Sequence, residues 1–236
     1  MTIQYLNHSS FLIKAKKNGN QITKIVIDPF NDDIGIKFKP TEADIVLVSH
    51  MHPDHNNVAG IKGLEQSDLK LDDLKVNGDK PFIIKTPGEF EVDGIMIKGI
   101  QSFHDNQQGQ IRGPNTIYTI TAEGLTICHL GDLGHKLTEE QEEKIGNVDV
   151  LMVPVGGTYT IGPETATEVI SQIEPGYVIP MHFKTAKHSG TYSELKTLDD
   201  FLKELGEEPS FKEDEFTPSV STNEQTKVVL LNPQYK

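Results

Sequence analysis

The sequence predicts an α/β protein built as a four-layer αββα sandwich. Three observations point there. The first half carries a run of strands joined by hairpin signals. The second half alternates helices with apolar strands. Between these patterns, a cluster of metal-ligand residue types stands at the end of one continuous apolar run, residues 44–49.

Taken in order, residues 5–14 and 22–28 read as strands flanking Lys17, Asn18, Gly19 and Asn20. An Asn-Gly pair favours a two-residue hairpin because both residues tolerate positive φ. Residues 44–49 have no polar alternation, the mark of a strand buried on both faces. Residues 67–74 suggest a short helix on an insertion. Residues 91–100 hold Asp93-Gly94 between apolar segments, a second hairpin. Residues 116–121 and 125–130 form a third pair, joined by Ala122, Glu123 and Gly124. Thr138 and Gln141 have the spacing of a capping box that opens an acidic helix. Residues 148–153 predict another buried strand. Ala166, Val169, Ile170 and Ile173 recur at helical spacing between Pro163 and Pro175. Residues 177–181 form the next strand. Leu195, Leu198, Leu202 and Leu205 predict a last helix capped by Ser193 and ended by Gly206. Residues 207–225 are polar and acidic, a surface excursion before a final strand at 227–231.

Size and charge bound the function. The 236 residues suffice for one domain with a sizeable core, so residues 1–236 are read as a single domain. Cys128 is the only cysteine, so no intrachain disulfide is available. The start lacks the basic flank and apolar core of a signal peptide, and no apolar run approaches the roughly 18 residues of a membrane helix. The expectation is a cytoplasmic protein without membrane insertion. A net charge of −13, with Arg112 the only arginine, disfavours nucleic acid, whose binding depends on neutralising phosphates. A small-molecule substrate is the expected partner, and a homo-oligomer is compatible with the sequence.

The chemistry concentrates in His50, His52, Asp54 and His55. Four ionisable side chains in one short turn are costly to desolvate unless a divalent metal holds them. In an extended segment, positions i and i+2 face the same side, so one metal can take both His50 and His52. Pro53 suits the first turn of a helix, which would carry Asp54 and His55 toward a second metal. Further candidates end other strands: His104 after 99–103, Asp132 after 128–131, and His182 after 178–181. His129 competes with His104 but lies inside a strand, where a buried, hydrogen-bonded role is expected. His188 competes with His182 but lies in what reads as a surface loop.

The pattern His-x-His-x-Asp-His, then a later His, then Gly-Asp, then a final His resembles the metallo-β-lactamase-fold hydrolases. Residues 8–13, the strand end Ile27-Asp28-Pro29, and the segment 129–135 make it similar to the branch containing L-ascorbate-6-phosphate lactonase. The resemblance implies that His50, His52 and His104 bind metal one, that Asp54, His55 and His182 bind metal two, and that Asp132 bridges them. It also implies two divalent ions. Zinc is the first expectation, with manganese or iron compatible with a carboxylate bridge.

The function that follows is a binuclear hydrolase of a small anionic metabolite, an ester, lactone or amide, attacked by a hydroxide shared between the metals. A phosphodiesterase or nuclease of the same fold is the alternative, and a non-hydrolytic redox or binding protein is a third. Asp54 and Asp132 are the expected catalytic carboxylates, and His135 is a candidate proton donor. His8, Arg112 and Lys184 are candidates for contacting substrate, with Lys187 beside the last of these. Asp28 is expected to orient a ligand histidine, and Cys128 to fill core space.

Overall fold

The architecture was obtained as a computed structural model, which describes residues 1–17, 21–70, 80–220 and 225–235. Two sheets face one another. The smaller contains, in spatial order, β1 (Thr2–Asn7), β2 (Ser10–Lys16), β3 (Ile22–Ile27), β4 (Ile45–Leu47) and β5 (Phe82–Ile84). The first three strands pair antiparallel, and β4 and β5 add in parallel. The larger sheet has eight strands. An antiparallel meander of β6 (Gly88–Val92), β7 (Ile95–Phe103), β8 (Pro114–Ala122) and β9 (Leu125–His129) leads into a parallel half. That half contains β10 (Val150–Pro154), β11 (Tyr177–Met181), β13 (Lys227–Leu231) and, at the edge, β12 (Phe211–Glu213).

Side-chain alternation distributes each strand between two cores. Ile25, Ile27, Ile45 and Leu47 of the smaller sheet meet Tyr118, Ile120, Val150, Met152 and Ile179 of the larger one in the central layer. The intervening residues point outward. Val26, Val46 and Val48 pack beneath the outer segments of the smaller sheet. Leu151, Val153 and Val178 pack beneath helices of the larger. Burial on both faces is why β4, β10 and β11 read as unbroken apolar runs.

Among the described residues, three helices cover the larger sheet: α1 (Glu139–Ile145), α2 (Pro163–Ile173) and α3 (Leu198–Leu205). The Thr138–Gln141 capping box forms as the sequence predicts. Over the smaller sheet, among the described residues, the outer layer is made of short 3₁₀ turns at Asp32–Ile34, Val58–Gly60 and Gln66–Lys70 rather than α-helices. No helix of the described residues is long and apolar enough to cross a membrane.

Several local expectations change. Residues 5–14 are two strands, because Asn7 and His8 take positive φ (147° and 57°) and turn the chain back on itself. Pro53 opens no helix; residues 51–55 form a turn closed by the His55 N–H donating to the His52 carbonyl. The last helix starts later than Ser193 suggests. Thr197 caps α3 through a reciprocal bond with Asp200, and Phe201 is its most buried residue. Within 207–225, β12 pairs with β13, and Phe216 is buried and bridges to Ile3. The hairpin tip 18–20 and part of the 67–74 segment lie outside the described residues.

Candidate metal centre

The site forms where strand ends of the two sheets open to one side. His50 and the turn carrying His52, Asp54 and His55 follow β4. His104 follows β7, Asp132 follows β9, and His182 follows β11. Backbone geometry sets these positions. Gly131 takes a φ of 56°, and a Cβ there would strike the Asn115 Oδ1 atom and Ser49, so only glycine admits the turn before Asp132. At Gly134 a Cβ would strike the backbone of His104 and Asp105; without one, its N–H reaches the Phe103 carbonyl at 2.9 Å. The Gly-Asp-Leu-Gly segment is therefore a joint that brings the carboxylate to the histidine-bearing loop. Asp28 (φ 46°), His8 (57°) and His182 (51°) also hold left-handed backbone. Such conformations cost about 1–3 kcal/mol each in non-glycine residues and persist where packing enforces them.

The structure gathers three groups whose ligand atoms lie within 4.8 Å of one another: His50, His52 and His104; His50, His55 and Asp132; and His8, Asp54, His55 and His182. The Asp132 Oδ2 atom lies 3.1 Å from His104 Nε2, 3.2 Å from His55 Nε2, 3.2 Å from His182 Nε2 and 3.9 Å from His50 Nε2. Ligands about 2.0 Å from a tetrahedral metal stand about 3.3 Å apart, so this crowding has the spacing of a coordination set. His50 Nε2, His55 Nε2, His182 Nε2 and Asp132 Oδ1 are buried without a hydrogen bond. Polar atoms left this way are costly unless something else satisfies them, and a divalent cation suits these donors.

A buried carboxylate orients two of the histidines. Asp28 accepts the Ser49 N–H and hydroxyl at 2.7 Å each, and the His55 Nδ1–H at 2.9 Å. With its proton committed to Asp28, Ser49 Oγ accepts the His50 Nδ1–H at 2.9 Å. In their neutral forms both rings would therefore present a bare Nε2 toward Asp132. The sequence marks Asp28 but not Ser49 as part of this relay; only their separation in space across β3 and β4 makes it visible.

Electrostatics follow from burial and proximity. Burial, reinforced by His55, keeps His50 well below its ordinary pKa, and burial also lowers His52. Burial opposes charge on His55 as well, but the Asp132, Asp54 and Asp28 carboxylates outweigh it and hold His55 well above the ordinary value. Burial would raise Asp132, yet His182, His55 and His104 hold it well below the carboxylate range. Asp54 behaves in the same way through His55 and His8.

A cleft of about 250 Å³ opens above these groups, lined by His52, Asp54, His104, Asp132, Arg112, Tyr159 and Tyr192. Arg112 thus joins the site. His8 does not line the cleft. It is fully buried and donates from Nε2 to Asp54 Oδ2 at 3.1 Å, and burial lowers its pKa to about 3. His135 is also apart from the cleft. Its Nε2 accepts the Phe103 N–H at 3.2 Å and its Nδ1–H donates to the Lys136 carbonyl at 2.6 Å, which leaves no free proton for a substrate. Lys184 is exposed and does not line the cleft, and Lys187 is likewise exposed. His129 is buried, donates to the Ser9 carbonyl at 2.9 Å and accepts the Gly131 N–H at 3.1 Å. His188 is not a surface residue: it is buried, and its Nδ1 accepts the Thr185 N–H at 2.9 Å. Cys128 is fully buried, which pushes its thiol up.

Tyr192 was not singled out by the sequence, because nothing local distinguishes it in a polar loop. Burial and the adjacent Asp54 charge raise its phenol above the ordinary range, so it faces the cleft as a neutral hydroxyl.

Two facing sheets with a buried His/Asp cluster at their shared mouth define a metallohydrolase framework. Comparison with known proteins makes this specific. The family model for the beta-lactamase superfamily domain matches residues 2–182, and the chain belongs to that superfamily. A UPF0173 metal-dependent hydrolase of Pelotomaculum thermopropionicum is 32% identical over 226 residues, covering 84% of this chain and 96% of its own. One from Thermococcus kodakarensis is 31% identical over 197 residues, covering 78% and 84%. A solved structure from Thermotoga maritima, assigned as a Zn-dependent hydrolase of the metallo-beta-lactamase superfamily, is 33% identical with a TM-score of 0.71. It covers 98% of this chain and 99% of its own. The protein is a metal-dependent hydrolase with this fold.

Proposed function

We propose that the chain is a binuclear hydrolase of a small anionic metabolite carrying an ester, lactone or amide bond. Metal one would be held by His50, His52 and His104 and metal two by Asp54, His55 and His182, with Asp132 available to both. The observation that carries this reading is the convergence on Asp132. The Nε2 atoms of His104 from one set, and of His55 and His182 from the other, approach the same oxygen within 3.1–3.2 Å. Nitrogen-rich ligand sets favour zinc, while a shared carboxylate also suits manganese or iron.

Two divalent ions, if bound there, would supply a nucleophilic hydroxide near neutral pH and Lewis acidity toward a carbonyl or phosphoryl oxygen. The chain's own groups do the rest. Asp28 and Ser49 keep His50 and His55 in the tautomer that leaves Nε2 bare. His8 holds the Asp54 carboxylate at the cleft floor by donating to Oδ2. Ionised Asp54 accepts a hydrogen bond from the attacking nucleophile and orients it toward the substrate. The Tyr192 hydroxyl, neutral and lining the cleft, hydrogen-bonds the Asp54 side chain and helps hold that carboxylate in place.

Zinc-loaded protein should contain about two metals per chain by elemental analysis. Asp132→Ala should lose metal and hydrolysis together while keeping a cooperative melt, since Asp132 stands beyond the end of β9. A firm plateau at one metal, or an Asp132→Ala protein with two metals and wild-type turnover, refutes the shared carboxylate.

A further inference from the structure

Arg112 is the only arginine in a chain with 35 acidic residues. Despite that excess, it makes no ion pair among the described residues. Its Nη2 donates to the Thr158 carbonyl at 3.2 Å, and the guanidinium lies 5.8 Å from the centre of the Tyr159 ring. A guanidinium has five N–H donors in a planar fork, so most of its donors remain for another partner. Both Arg112 and Tyr159 line the cleft above His52, His104 and Asp132.

The placement is built by the loop itself. Asp105, next to His104 and buried, accepts the backbone N–H groups of Gln107 (2.8 Å), Gly109 (3.0 Å), Ile111 (2.9 Å) and Arg112 (2.8 Å). The His104 N–H then donates to the Gly113 carbonyl at 3.1 Å and closes the loop. The Arg112 backbone is therefore tied to the residue beside a candidate ligand, and Thr158 and Tyr159 fix the other end of its side chain. A positive charge with no ion pair among the described residues, tethered beside a small cleft, is an arrangement for recognising an anion.

We infer that Arg112 determines specificity by gripping a terminal oxyanion of the substrate, a carboxylate or a phosphate, across the cleft from the His/Asp cluster. The reactive group then lies toward His52, His104 and Asp132. The 250 Å³ volume limits the molecule to a small metabolite, below the usual ~300–1,000 Å³ of ligand pockets. This rests on the hydrolase reading only for the bond that is cleaved.

The test uses binding, so that it is independent of turnover. Zinc-loaded wild-type, Arg112→Lys and Arg112→Met proteins are titrated calorimetrically with glutarate, monomethyl glutarate and 4-phosphonobutyrate. Monomethyl glutarate keeps one carboxylate for the metals and removes the charge that Arg112 would meet. Glutarate should bind wild type at least ~10-fold more tightly than its monoester, as a charge-assisted fork implies. The ratio should collapse toward the statistical factor of about two in Arg112→Met and be intermediate in Arg112→Lys, which keeps charge but not the fork. Stronger Arg112-dependent binding of 4-phosphonobutyrate than of glutarate assigns a phosphate, and the reverse a carboxylate. A ratio unchanged in Arg112→Met, a wild-type ratio already near two, or no measurable glutarate binding overturns the inference. A parallel ester-hydrolysis screen separates the readings. No hydrolysis with the Arg112-dependent ratio intact counts against the hydrolytic role alone, and hydrolysis without that ratio counts against the anion grip alone.

Discussion

Replacing Asp28 with asparagine should weaken metal binding although Asp28 is not assigned as a ligand. Asp28 is fully buried and accepts three hydrogen bonds, one on Oδ1 from the Ser49 N–H and two on Oδ2 from Ser49 Oγ and His55 Nδ1. An amide can keep only one of the two oxygen positions as acceptor. With its oxygen at Oδ2, its NH₂ faces the Ser49 N–H. With its oxygen at Oδ1, its NH₂ faces His55 Nδ1, which must then accept. That shifts the His55 proton to Nε2 and removes the lone pair a metal needs. At least one charge-assisted bond of about 1.5–3 kcal/mol is lost in either case. Charged to metal binding, that corresponds to roughly 10–100-fold weaker affinity, the range seen for residues that orient ligand histidines. Zinc titration calorimetry on Asp28→Asn, with thermal melts to verify folding, reads the effect. A folded variant with wild-type affinity for both metals refutes the relay. A loss confined to the site containing His50, with the His55 site intact, also refutes it, because His55 bonds Asp28 directly and His50 only through Ser49.

Two further outcomes are expected. His104→Ala should remove most affinity at metal one, whereas His129→Ala should lower the melting temperature first, because His129 bridges the sheets by donating to the Ser9 carbonyl. A larger affinity loss in a folded His129→Ala would reverse that assignment. The second concerns pH in the metal-free protein. His55, raised above 6.5, contributes stability that is full below 6.5 and lost as pH rises through its folded value. Asp132, depressed below 3.8, contributes stability present above 3.8 and lost as pH falls through its folded value. A metal ligand must be neutral imidazole, so metal binding at pH 7 should expel the His55 proton. Calorimetry in buffers of different ionisation enthalpy measures that release, and zero release at pH 7 refutes the charged His55.

The linear sequence carries the parts of this protein that depend on local chemistry and period. The capping box before α1, the apolar runs of β10 and β11, and the strand 227–231 are legible because each is decided by near neighbours and by burial on both faces. The candidate metal-ligand set is legible because His50, His52, Asp54 and His55 crowd one turn, and because His104, Asp132 and His182 each end or closely follow a strand. What the sequence misplaces depends on distant partners. The reversal at His8 needs a left-handed residue that no glycine announces. Pro53 opens no helix because the turn it occupies is held against the site. Phe216 looks like part of a polar excursion until Ile3 is found beside it. Tertiary structure alone decides which of the candidate side chains meet. It turns His135 toward backbone, buries His188, commits His8 to Asp54, and brings Arg112 over the cleft through a loop wound around Asp105. The decisive contacts, His8 with Asp54 and Arg112 with Thr158, join residues 46 positions apart, and the energy that selects them comes from burial and hydrogen bonding in space, for which sequence spacing holds no record.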